Sequence, residues 1–213
     1  MVGMIRAAAL AAVAAVAVAA ELTRADLIVA AEMLPAALDY VVTASDGSSR
    51  GGSDNLDRAV GLRLGGRWIW SRPGAAVAPQ FGLDVVAEEA DYAGSMSLST
   101  FGLAVAVGAA WAPADAWLVE AEAYALAGRT TAEADGRVEM PAYSASGRCE
   151  GYGVRAGVAR NLSRRWLAGL TLGWRSTSAA LSGDPIDLTL DSAGAVFGVT
   201  LAWRHNLRPP AID

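Results

Sequence analysis

Residue types that do chemistry are scarce in this sequence, which holds one histidine, His205, and one cysteine, Cys149. A single Cys excludes an intramolecular disulfide framework and a multi-Cys metal site, and a single His excludes a His-rich metal cluster. A hydrolytic or acyl-transfer site would need His205 beside a Ser or a carboxylate. His205 instead follows Trp203 past the end of the last apolar stretch, where a solvated residue is the simpler reading. Cys149 reads as a small strand residue rather than a reactive thiol. Residues 46–57 have the Asp, Asn, Ser and Gly content of a Ca²⁺ loop, but their spacing matches no EF-hand. Gly65-Gly66 and Gly151-x-Gly153 lack the strand–turn–helix setting of a nucleotide loop. No catalytic, cofactor-binding or metal-binding residue is assigned, and no cofactor is expected. What recurs is charge on one side of an alternating pattern: Asp39, Arg63, Arg67, Gln80, Asp84, Glu88, Glu120, Glu122, Arg155 and Arg175. Carboxylates and guanidinia in near balance on one face suit a mutually paired internal network.

The elements that would position this network follow from composition and periodicity. Of 213 residues 54% are hydrophobic, and 17 basic against 22 acidic residues leave a net charge of −5. That apolar content excludes disorder, and the acidic balance argues against nucleic acid as a partner. The first twenty residues carry one Arg, then an Ala/Val/Leu run from Ala7 to Ala20, with Ala17-Val18-Ala19 as a small-residue cleavage pattern. The run is shorter than the roughly 20 residues a membrane helix needs, so 1–20 reads as a cleaved secretory signal peptide.

Beyond it, period-2 alternation replaces any helical period. Val60, Leu62, Leu64, Trp68 and Trp70 share one face of a strand, and Arg63 and Arg67 share the other. Phe81, Leu83 and Val85 alternate with Gln80, Asp84 and Glu88 in the next. Pro35 interrupts the first strand and implies a bulge or kink there. Short turns at 71–74, 113–116 and 161–165 contrast with long polar stretches at 46–55, 89–98, 131–148 and 180–191. Cutting at the short turns leaves four hairpins, hence an all-β, eight-stranded, antiparallel up-and-down barrel over 21–213. Its strands are expected at about 26–45, 55–70, 75–88, 99–112, 117–130, 149–160, 166–179 and 192–203, with a tail at 204–213.

An eight-stranded barrel can be soluble with an apolar interior, or it can sit in lipid with the faces exchanged. Trp68, Trp70, Trp111, Trp117, Trp166 and Trp203 all lie near the short-turn end, and indole collects at membrane interfaces. They read as a periplasmic-side girdle, so the charged face is expected to point inward. An interior of this width is filled by side chains rather than by a wide aqueous pore. Arg63 and Arg67 are expected to pair with Asp84 or Glu88, with Arg67 level with about Ala78 and Arg63 with about Gly82.

On these features the sequence resembles the small eight-stranded outer-membrane barrels of the outer membrane protein A transmembrane-domain type. Gly198-Val199-Thr200-Leu201-Ala202-Trp203 looks like their aromatic-ended last strand. The resemblance implies a bacterial outer-membrane location and a structural or surface-interaction role. It implies outer-membrane lipid and the assembly machinery as partners, and an extracellular ligand at the long loops. Two rival readings are a lipid-modifying outer-membrane enzyme, such as a lipid A deacylase or acyltransferase, and a soluble, exported, lipocalin-like ligand-binding barrel.

Overall fold

The alternating stretches all lie in strand. The structure, a computed structural model, describes residues 21–71, 75–92, 96–114, 116–134 and 142–206. The expected signal peptide, most of the turn at 71–74 and the end of the tail lie outside the described residues. Ten segments are present: β1 (Glu21–Met33), β2 (Ala37–Ala44), β3 (Ser49–Asn55), β4 (Arg58–Ser71), β5 (Val77–Tyr92), β6 (Met96–Ala114), β7 (Trp117–Ala134), β8 (Tyr143–Asn161), β9 (Trp166–Gly183) and β10 (Ile186–Asn206). They run antiparallel in the order β1-β4-β5-β6-β7-β8-β9-β10, and β10 returns to β1 from Arg24↔Asn206 to Met33↔Phe197. The ring is therefore closed, and no edge remains along its lower wall.

The ten segments make eight staves. Pro35 has no N–H to give a ladder, and the first stave breaks at 34–36 between β1 and β2. β2 continues upward against the top of β10, and β3 pairs with β2 above β4. The break leaves the parity unchanged: Asp26, Ile28 and Ala30 face inward below it, and Leu38 faces inward above. Asp39 consequently points outward, opposite Asp191 of β10, and is not part of the interior network.

The strands are taller than the sequence suggested. Most of the four polar stretches expected as long loops are strand: β3 occupies 49–55, β5 reaches Tyr92, β7 reaches Ala134, β8 begins at Tyr143 and β10 at Ile186. The nineteen residues of β6, at roughly 3.3 Å each and tilted near 45°, rise about 44 Å against an apolar band of about 25 Å. The surplus stands above the lipid as wall.

The two parts of that wall have opposite faces. In the lower part the outward residues are apolar, among them Leu62, Leu64, Leu83, Val105, Val154 and Leu170, the last 62% exposed. Indoles of Trp111, Trp117 and Trp166 stand at its base. A second aromatic set, Phe101, Tyr152, Trp174 and Phe197, lies farther up the same strands, with Tyr152 packed on Trp174 at 5.9 Å. Two aromatic belts enclosing an apolar zone are the pattern of a barrel spanning a bilayer. Above the second belt the outward residues turn polar: Glu89 and Asp91 on β5, Ser97 and Ser99 on β6, Arg148 and Glu150 on β8. The inward residues change in the opposite sense at the same height. The molecule is a transmembrane barrel of the outer-membrane type, continued upward as a barrel with an apolar interior.

Candidate functional site

The lumen has three storeys. At the base, Ile69, Ala110, Leu118 and Leu167 pack into an apolar stopper inside the Trp girdle. Above it lies the charged storey. Arg67 is 1% exposed and grips Asp84 with two parallel bonds, Nη1 to Oδ1 at 2.6 Å and Nη2 to Oδ2 at 2.9 Å. The same guanidinium donates to Glu122 from Nε at 2.9 Å and from Nη2 at 3.0 Å. Bidentate pairing uses the planar fork of Arg, which a Lys could not reproduce. Arg63 donates to Glu32 at 3.0 Å and reaches Asp84 at 3.4 Å. Arg155 donates to Asp84 at 2.9 Å, contacts Glu122 closely, and lies 4.7 Å over the Tyr124 ring. Arg175 pairs with Glu88, its Nη2 donating to Oε2 at 2.9 Å. Gln80 donates to Glu122 at 3.4 Å.

Glycine makes room for the fork. A Cβ at Gly82 would sit 2.5 Å from the Arg67 guanidinium, so no larger residue can stand there without moving it. Four Arg face four carboxylates, Glu32, Asp84, Glu88 and Glu122. Such a set is costly to desolvate but also costly to disrupt, because a lost partner leaves a buried charge unpaired. A void of only about 10 Å³ remains beside Arg63, Tyr124 and Arg175. That is at the limit for a single water. Among the described residues, side chains fill the charged storey.

The register differs from the sequence expectation. Arg67 is level with Gly82 and Arg63 with Val86, four residues farther along β5, because the connection runs from 72 to 76 before β5 begins at Val77. Asp84 is thereby one diagonal step from Arg67. Glu88, expected beside Arg63 or Arg67, lies higher and pairs across the lumen with Arg175 on β9. Glu32 of β1 joins the network although the sequence reading omitted it. Its signal was its parity with Asp26, on the face opposite Leu27 and Val29. Glu120 faces the same lumen below Glu122 but makes none of these ion pairs among the described residues.

The third storey is apolar. Leu38, Met96, Leu98, Tyr143, Leu181, Leu188 and Leu190 pack together on its inner face. Among the described residues the wall borders a cavity of about 520 Å³ at the upper end of the barrel. Polar atoms in it are few and mostly tied. Tyr143 Oη donates to Met96 Sδ at 3.0 Å, and Tyr92 Oη to Asp54 Oδ2 at 2.8 Å. Tyr40 meets Tyr92 edge-on at 6.2 Å, and its hydroxyl lies where a Cβ on Gly52 would be. The backbone N–H of Asn55 and the Tyr92 hydroxyl together hold the Asp54 carboxyl below its ordinary range. Ser48, Ser49 and Arg50 form the polar part of the rim. An open, mostly apolar cavity of this size, with a few polar groups at one side, is what small-molecule sites look like.

At the opposite end, His205 is exposed and stacks on Trp203 at 5.7 Å. Cys149 is buried beneath the cup. No group of His, Cys, Asp and Glu among the described residues is arranged to hold a metal ion.

No protein-family model matches the chain, and no curated protein matches it. Among solved structures it is similar to Ail, the attachment invasion locus protein of Yersinia pestis, at 11% identity and a TM-score of 0.42, covering 87% of this chain and 100% of that one. It is similar to Neisserial surface protein A at 12% identity and a TM-score of 0.43, covering 83% and 96%. It is also similar to the outer membrane protein OprG from Pseudomonas aeruginosa at 11% identity and a TM-score of 0.46, covering 88% and 98%.

Proposed function

We propose that the chain is a non-conducting outer-membrane barrel whose work is done at its outward end, where it binds small apolar molecules. One observation carries this reading: the lumen is closed by a paired network below and opens into an apolar cavity of about 520 Å³ above. Water is a poor occupant of such a cavity, and filling it with apolar matter recovers the hydrophobic term of its lining. The ligand site is thus the inner wall of the projecting staves, where the sequence had suggested long loops. On this reading lipid surrounds the apolar belt, and the assembly machinery handles the aromatic-ended last strand during biogenesis. Binding rather than catalysis is favoured because His205 stands at the end remote from the cup.

The test uses the full chain refolded into lipid nanodiscs, with N-phenyl-1-naphthylamine as a neutral apolar probe and empty nanodiscs as the background. Saturable fluorescence enhancement is expected, and Val42→Trp, which fills the cup, should abolish it. Val41→Trp, on the outer face of the same strand, should leave it intact. Equal binding in both variants would overturn the cup as the site, and steady single-channel conductance would overturn the closed lumen.

A further inference from the structure

The cup has one charged side chain on its wall without a counter-charge, and it sits at the mouth. Arg50 lies on β3 directly opposite Val42 of β2, so it shares the inward face with Val42 and lines the cavity. None of the ion pairs among the described residues includes it. Asp54 accepts from Tyr92 at 2.8 Å and Asp46 from the Ser48 hydroxyl at 2.6 Å, and neither forms an ion pair with Arg50 among the described residues. Below Arg50 the wall is mostly apolar or aromatic down to the charged storey, with the Thr100 and Thr130 hydroxyls bonded to each other at 2.8 Å just above it. β3 has β2 as its only partner strand among the described residues, and on its other side Asp54 accepts from Tyr92 of β5.

Resting on the cup reading above, we propose that its ligand is an anionic amphiphile: a single apolar chain held by the cup, with a carboxylate or similar head on the Arg50 guanidinium. Charge complementarity decides the head. A cationic head would meet Arg50, and the described residues lining the cavity include no acid to offset it, while a neutral ligand would leave the fork unused. The planar fork suits a two-oxygen anion. The ligand arrives from the medium, because the mouth faces away from the bilayer.

The experiment compares cis-parinaric acid with the corresponding parinaryl alcohol, both added to the refolded full chain in nanodiscs at pH 7.5. Refolding of every variant is checked by heat-modifiable migration on a gel. The acid is expected to bind about tenfold more tightly than the alcohol. Arg50→Gln should erase that difference while leaving the alcohol unchanged, and Arg50→Lys should keep part of it. Acid and alcohol binding equally well, with Arg50→Gln silent, would overturn this inference and leave the cup standing. Failure of both probes to bind, together with N-phenyl-1-naphthylamine, would overturn the cup reading itself.

Discussion

Along β5 and β8 the lower and upper halves of the wall are one strand with one parity, yet they are solvated inside out relative to each other. β5 shows the change in a few residues. Asp84 and Glu88 point inward and Leu83 and Val85 outward; just above, Ala90 and Tyr92 point inward and Glu89 and Asp91 outward. β8 repeats it, with Arg155 inside and Val154 outside below, and Cys149 inside and Arg148 and Glu150 outside above. No bulge turns the pleat over at this height; the residue types change while the geometry continues. A barrel wall is therefore indifferent to which of its faces is greasy. The medium on the outside decides, and here that medium changes from hydrocarbon to water partway up each strand.

If the halves differ in this way, the largest effect should come from unpairing the lower interior. Arg67→Met leaves Asp84 and Glu122 buried without their main partner and should cost about 3–5 kcal/mol. Urea titration of the chain folded in vesicles measures it, and a loss below 1 kcal/mol would mean the network is hydrated. A charge placed on the outer face should then separate the halves along one strand. Leu103→Arg, in the apolar belt of β6, should cost about 2–4 kcal/mol, whereas Ser99→Arg, four residues above, should stay within about 0.5 kcal/mol. Equal costs at the two positions would remove the boundary drawn between them.

The smallest effect concerns the upper half alone. Asp54 sits below its ordinary value of 3.8, held there first by the Asn55 N–H and then by the Tyr92 hydroxyl. A lowered carboxyl contributes stability above its unfolded value and loses it as pH falls through the lowered one. Amide exchange in β3 should therefore be flat from pH 7 to about pH 4, after correction for intrinsic rates, and quicken below that. Asp54→Asn should remove the dependence.

The membrane half was legible in the sequence because each of its staves alternates large apolar residues with charge or glycine, and because the Trp residues cluster at one end. The upper half was harder to read for a physical reason. Tyr143, Ala145 and Cys149 alternate with Ser144, Ser146 and Arg148, but small inward residues give a faint signal. Leu188 and Leu190 alternate with Asp187, Thr189 and Asp191, and their acids suggest a loop when the outside is assumed to be lipid. β3 is Ser-Arg-Gly-Gly-Ser-Asp-Asn, every residue exposed, and only pairing with β2 makes it a strand. Asp39 was misplaced because the parity set by Asp26, Ile28 and Ala30 runs on through the break at Pro35 and turns it outward. The charged site was legible by face but not by partner: Arg175 with Glu88 joins β9 to β5, and no local spacing announces a contact across a lumen.

The charged storey also bears on how the ring closes. Its members come from β1, β4, β5, β7, β8 and β9, six of the eight staves. A sheet that has not yet curled holds Arg155 apart from Glu32 and Asp84, and one lacking β9 holds Glu88 without Arg175. Each partial ring leaves an ion facing hydrocarbon or an open groove, at roughly 2–4 kcal/mol near the midplane. Insertion is then all-or-none: only the curled ring, with its charges paired across the lumen, is at ease in lipid.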